Sequence, residues 1–139
     1  GTKAEIYLPW HGFEMDVMTR PLGRIVLSQP TQAAIDMAIE YHPTPQKLTQ
    51  GMRKLHGRSS HVVLGKDLDT PVNVVVCWTR DGAESGGPGQ VLRVADGWKI
   101  HAINLGICKD VEAARRMLYN QFIENGIPDY SDQREHSLD

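Results

Sequence analysis

Residues 72–105, VNVVVCWTRDGAESGGPGQVLRVADGWKIHAINL, constrain the fold more than any other part of the chain. The run 72–78 is almost continuously apolar and β-branched, which predicts a strand buried on both faces of a parallel sheet. A polar loop over 79–87 follows. The next piece reads in two ways. VLRVA and WKIHAI look like two strands joined by an Asp96-Gly97 hairpin. The competing reading is a short helix over 88–95 closed by Gly97, leading into a strand over 99–105. Proline in the first turn and glycine just past the end suit that helix.

Gly86, Gly87, Pro88 and Gly89 lie between the strand and the candidate helix. Glycines there let backbone amides approach an anion with no Cβ in the way. The first amides of a helix lack intrahelical partners, and its dipole adds attraction for a phosphate. The plain alternative is a turn that binds nothing.

The flanks read as alternating short strands and helices. Residues 5–8 form a strand stopped by Pro9, and 24–27 form a short apolar run of undetermined type. Ala34, Met37, Ala38 and Tyr41 recur at helical spacing, so 31–41 is a helix, ended by His42-Pro43. A second helix follows Pro45. Leu48, Met52, Leu55, Ser59 and Val62 share one face, and Lys47, Lys54 and Arg58 make a basic stripe on another. Gly51 and Gly57 predict a break or kink near one of them. A last helix spans 110–125, with Asp110 as N-cap, a buried face of Val111, Ala114, Leu118 and Phe122, and Gly126 and Pro128 ending it. Residues 129–139 are a polar tail, and 1–128 are one domain.

Several motifs, taken in order, resemble the SLOG superfamily of Rossmann-like proteins of phages and bacteria. Its members include the DNA-processing protein A and the "lonely guy" phosphoribohydrolases, relatives of lysine-decarboxylase-like proteins. The resemblance lies in the strand ending Cys77-Trp78-Thr79, the Asp81-Gly82 turn, the Gly-Gly-x-Gly-Gln90 loop and the strand ending Ile103-Asn104-Leu105. It extends to IYLPWHGF over 6–13, KLHGR over 54–58 and VLGKDL over 63–68. It implies a three-layer α/β domain with a mostly parallel sheet, and it favours the helix after Pro88 over the hairpin. It implies a nucleotide-derived ligand held by Trp10, Thr79, Asp81, Gly86, Gly87, Pro88, Gly89, Gln90 and Asn104.

Two departures stand out. The family's opening βα unit, which supplies a central strand and half of the ligand cradle, is absent from this sequence. Unpaired buried backbone is costly, so a second chain or a missing N-terminal segment is expected to complete the sheet, and a homo-oligomer is expected. The chain begins Gly-Thr-Lys, which reads as processed or trimmed. The phosphoribohydrolases also carry a catalytic glutamate three residues after the loop's last residue, where this chain has Arg93. Asp81 and Glu84 are the only substitutes in the loop, so binding is expected ahead of N-glycosidic hydrolysis.

A net charge of −2 over 139 residues gives no global argument for nucleic acid. Single-stranded DNA binding therefore rests on Lys47, Lys54 and Arg58 alone, a stripe that as readily reads as a solvated helix face. Six histidines lack metal-ligand spacing and two cysteines form no CxxC, so no metal, no cofactor and a reducing cytoplasm are expected. Cys77 and Cys108 are expected as buried thiols, Trp78 as core, and His11 as either a loop residue or a crevice residue. No apolar run is long enough for a membrane span.

Overall fold

The computed structural model describes residues 4–14 and 23–124, so residues 129–139 and the Gly126-Pro128 stop lie outside the described residues. Two pairs of short parallel strands carry the fold. β1 (Ala4–Tyr7) pairs with β2 (Gly23–Leu27), and β3 (Val74–Cys77) pairs with β4 (His101–Asn104). The two pairs are separate two-stranded sheets. The chain is therefore mixed α/β with parallel strands, as its alternating pattern predicts, and the undetermined run before Leu27 is a strand.

α1 (Gln32–Tyr41) and α2 (Gln50–Leu64) pack closely where Gly57 meets Ile35. A Cβ on Gly57 would lie 2.8 Å from Ile35 Cγ1 and 3.1 Å from Pro30 Cβ, so only glycine admits this approach. Polar side chains complete the contact. Ser60 Oγ donates to the Ala34 carbonyl at 3.1 Å. His61 Nε2 accepts the Thr31 amide proton at 3.1 Å, which leaves Nδ1 protonated to donate to the Gly65 carbonyl at 3.1 Å. Tyr7 stacks on the same ring at 5.5 Å, tying β1 to α2.

α2 is one uninterrupted helix through both glycines. The expected break falls earlier, between the 3-10 turn Pro45–Lys47 and Thr49, whose hydroxyl caps α2 by accepting from the Met52 amide at 3.2 Å. Its buried residues are His56, Gly57, Ser59, Ser60, His61, Val63 and Leu64. Met52 and Val62 of the expected apolar face are exposed. Cross-helix hydrogen bonds let polar residues take the inside positions instead.

α3 (Gly86–Gly97) returns the chain from β3 to β4, so residues 88–97 are helical and the hairpin does not form. Val63 and Leu64 of α2, Val75 of β3, and Val94 and Ala95 of α3 form one core, with Ala102 of β4 against it. Val75 and Ala102 are paired neighbours, so they point to this helical face. Alternation sends Val72, Val76 and Trp78 to the opposite face. There Val76 is 45% and Trp78 62% exposed, because nothing among the described residues covers them. β3 is thus buried on one face only, and Trp78 is not core.

β4 differs on that opposite face. His101 Nε2 meets Gln121 Oε1 at 2.9 Å, and Gln121 belongs to the π-helical stretch Asn120–Glu124 that continues α4 (Val111–Tyr119). Asp110 caps α4 as its position predicts, accepting the Ala113 amide proton at 2.8 Å. Val111 is 71% exposed, not buried, since the first helical residue turns away from the strands. Ala114, Leu118 and Phe122 are half-buried, and so are both cysteines. Burial raises the Cys77 thiol pKa, in keeping with an inert sulfur.

Candidate anion site at the start of the third helix

The glycine segment is the first turn of α3. Ser85 stands at the N-cap position without a side-chain hydrogen bond, and the helix opens with the Gly89 amide donating to the Ser85 carbonyl at 3.0 Å. Pro88 has no amide proton, so the amides of Gly86 and Gly87 are the donors this end presents. Gly86, Gly87 and Pro88 are exposed, while Gly89 and Gln90 are buried. A Cβ on Gly87 would meet no heavy atom within 4 Å. One on Gly89 would lie 2.6 Å from the Glu84 carbonyl carbon, so glycine there lets the loop close onto the helix.

This turn ends a cleft of about 680 Å³. Gly87, Pro88 and Trp78 line it at one end, Ile6 and Tyr7 along one wall, and Arg58 from α2 along its floor. Arg58 lies over the Phe13 ring with its guanidinium carbon 5.7 Å from the centroid, a cation–π distance. Phe13 in turn meets Trp10 edge-on at 5.0 Å. Burial lowers the Arg58 pKa and nearby Glu14 opposes it, but a guanidinium remains charged at any physiological pH. Among the described residues the one side-chain ion pair is Arg24–Glu5, so Arg58 is a half-buried cation with no carboxylate bound to it. Sequence reading placed Arg58 in a basic helical stripe. The packing of α2 beneath β1 and β3 is what makes it line the cleft, and no local signal reports that. Lys47 lies in the exposed 3-10 turn and Lys54 is half-buried on α2.

Thr79 and Asn104 do come together, at the carboxyl ends of β3 and β4. The Thr79 amide donates to Asn104 Oδ1 at 3.1 Å, and Asn104 Nδ2 donates to Thr79 Oγ1 at 2.7 Å. Asn104 Oδ1 also accepts the Gly106 amide proton at 2.9 Å. The pair clamps the two strand ends and the turn after β4, with Thr79 buried. Gln90 is fully buried as well. Its Nε2 donates to the Ala38 carbonyl at 2.9 Å, and its Oε1 accepts from Arg93 Nη2 at 2.7 Å and Nε at 3.1 Å. Arg93 also reaches the Glu84 carbonyl at 3.4 Å, so this arginine braces the loop from behind. Asp81 is exposed in the 3-10 turn Arg80–Gly82 at φ 56°, and Glu84 is exposed. His11 is exposed in the turn after β1 and does not line the cleft.

Behind Arg93 sits a histidine pair that sequence spacing does not single out. The rings of His42 and His56 are 5.0 Å apart, and His56 Nδ1 is buried without a hydrogen-bond partner. Burial lowers the His56 pKa most, and His42, Arg93 and Arg58 add to the effect. Burial and Arg93 lower His42 likewise. Both rings therefore bind protons more readily in the unfolded chain. Their contribution to stability is complete above about pH 6.5 and is lost as pH falls through their folded pKa values. The melting temperature is expected to drop as pH falls below about 6.5, and His56→Gln to flatten that drop in thermal melts. An unchanged pH profile in the variant would remove His56 from the account.

Among the described residues no group of three His, Cys, Asp or Glu side chains is placed to hold a metal ion. No described helix is long and apolar enough to cross a membrane. No protein-family model matches the chain, and no curated protein and no solved structure matches it either.

Proposed function

We propose that the chain binds a nucleotide or nucleotide-derived phosphorylated small molecule, with the phosphate on the Gly86 and Gly87 amides facing Arg58. The observation that carries this is Arg58, a half-buried cation with no ion-pair partner among the described residues, lining the same cleft as the exposed first turn of α3. A desolvated guanidinium and a helix amino terminus both favour an anion between them. Trp78, exposed beside Gly87, offers an aromatic face to a base. Parallel strands with helices α1–α3 on one face and Gln121 against the other support a Rossmann-like three-layer arrangement, with the ligand at the carboxyl ends of the strands.

The other two activities have less support. At the position where the resemblance puts a catalytic glutamate, Arg93 is held by Gln90 and Glu84. The nucleic-acid stripe loses Arg58 to the cleft. Calorimetry with adenosine monophosphate and with inorganic phosphate tests the binding reading. Gly87→Asp introduces a side chain into open space, so the fold should be kept. Its carboxylate beside the phosphate costs a few kcal/mol at the effective dielectric of a protein surface, a loss of about a hundredfold or more in affinity. Arg58→Gln should weaken binding in the same direction. Equal affinity in Gly87→Asp, or no heat with either probe, would count against the site.

A further inference from the structure

Basic side chains gather behind and beside the first turn of α3. His42 follows α1 and His56 lies on α2, with their rings 5.0 Å apart. Arg58 stands two residues beyond His56 and lines the cleft. Arg93 of α3 reaches back to the Glu84 carbonyl at 3.4 Å and to Gln90 Oε1 at 2.7 Å, and Gln90 in turn holds Ala38 near the end of α1. Neither arginine is ion-paired among the described residues. Glu84 acts on Arg93 and Glu14 on Arg58 only through space, and both carboxylates are exposed.

The local geometry holds the histidine pair neutral. His42 Nδ1 accepts the Thr44 amide proton at 3.0 Å, so a proton on that nitrogen breaks the bond. His56 is 8% exposed, and its Nδ1 has no hydrogen-bond partner. Two cationic rings this close repel, so the pair takes one proton as a unit. Every charged group that acts on His56 is basic, namely His42, Arg93 and Arg58, and Arg93 acts on His42 too. Asp36 and Glu40 of α1 are exposed, and Arg53 of α2 turns to the carbonyls of Pro45 and Leu48. His61 has both ring nitrogens engaged. What the cluster lacks is a negative charge.

We infer that the His42–His56 pair couples the anion site to pH: an anion between the α3 amides and Arg58 draws a proton onto the pair, so affinity rises as pH falls. This coupling rests on the phosphate site proposed above. An anion there offsets the guanidinium charges that keep the rings neutral. Linkage is reciprocal, so a proton on the pair tightens the anion by the same factor as the anion tightens the proton. The pair's pKa is then lower in the free chain than in the complex. Affinity is level above the pKa of the complex, rises as pH falls through it, and levels again below the pKa of the free chain. A charge felt through a surface-like dielectric makes that factor about three- to tenfold.

The test is titration calorimetry on the full chain with adenosine 5′-methyl phosphate. This phosphodiester keeps its charge between about pH 5 and 8, whereas a monophosphate itself takes up a proton near about pH 6. Measured at about pH 6 in two buffers of different ionisation heat, the apparent enthalpies should differ by the heat of a fraction of a proton taken up per ligand. At about pH 8 they should agree. Affinity should be about threefold or more tighter at about pH 5.5 than at about pH 8. The double variant His42→Asn/His56→Gln keeps an acceptor for the Thr44 amide and should bind without uptake. Should it fail to fold, proton NMR of the ring Cε1–H signals in the unsubstituted chain locates the proton. Ligand should move the His42 and His56 midpoints up and leave those of His11 and His101 in place. Equal enthalpies in the two buffers at every pH, proton release, or uptake that survives in the double variant overturns the coupling and leaves the anion site standing. No heat at any pH removes the site and the coupling together.

Discussion

His61→Leu is expected to remove about 3 kcal/mol of stability, a large share of the roughly 5–15 kcal/mol typical of a domain. The ring is fully buried and works at three contacts at once. It accepts the amide of Thr31, the N-cap of α1. It donates to the carbonyl of Gly65, the C-cap of α2. It also stacks on Tyr7 of β1. Leucine fills similar space but leaves the Thr31 amide unpaired, at a cost of about 1–3 kcal/mol, while the Gly65 carbonyl keeps the Leu68 amide at 3.3 Å, and the lost ring stack on Tyr7 adds about 0.5–1.5 kcal/mol. The measurement is urea denaturation, with a lower midpoint at unchanged slope. A change under about 1 kcal/mol would mean that water or backbone shifts replace the imidazole.

Gln90→Leu separates two roles for one residue of the glycine loop. The last four carbonyls of a helix lack intrahelical donors, and Gln90 Nε2 supplies one to Ala38 near the end of α1. Its Oε1 holds Arg93. Losing both is expected to cost about 2–3 kcal/mol, seen as a lower melting temperature. Affinity for adenosine monophosphate, measured below the melt, should change little. The opposite result, intact stability with lost affinity, would make Gln90 a ligand contact and require the side chain to turn out of the core.

The parts of the fold that were legible are those set by local chemistry. The β-branched run announces β3, Asp110 announces the start of α4, and Pro88 with Gly97 frames α3. What was not legible depends on partners distant in sequence. Val76 and Trp78 belong to an apolar run that reads as buried on both sides, but burial requires a covering layer that the run itself does not specify. Thr79, Gln90 and Asn104 are polar groups at strand and helix ends. In sequence, a polar group that clasps its own backbone is indistinguishable from one that waits for a ligand. Arg58 shows the reverse. Helical spacing assigns it to a solvated stripe, and only the packing of α2 against β1 and β3 makes it a cleft residue. Met52 and Val62 were expected beside Leu55, yet Ser60 and His61 occupy the interior because carbonyls and amides of neighbouring elements satisfy them.

α2 meets β1 through Tyr7 and β3 through the core around Val63 and Leu64, while the two half-sheets share no hydrogen-bonded ladder. One helix therefore acts as the keel to which both halves are fastened. Communication between the β1 side and the α3 side runs along its length, with the hydrogen bond from Gln90 of α3 to Ala38 of α1 as a second path. Cooperativity between the two strand pairs accordingly depends on helix contacts, with the fifteen residues of α2 at their centre, rather than on a continuous sheet.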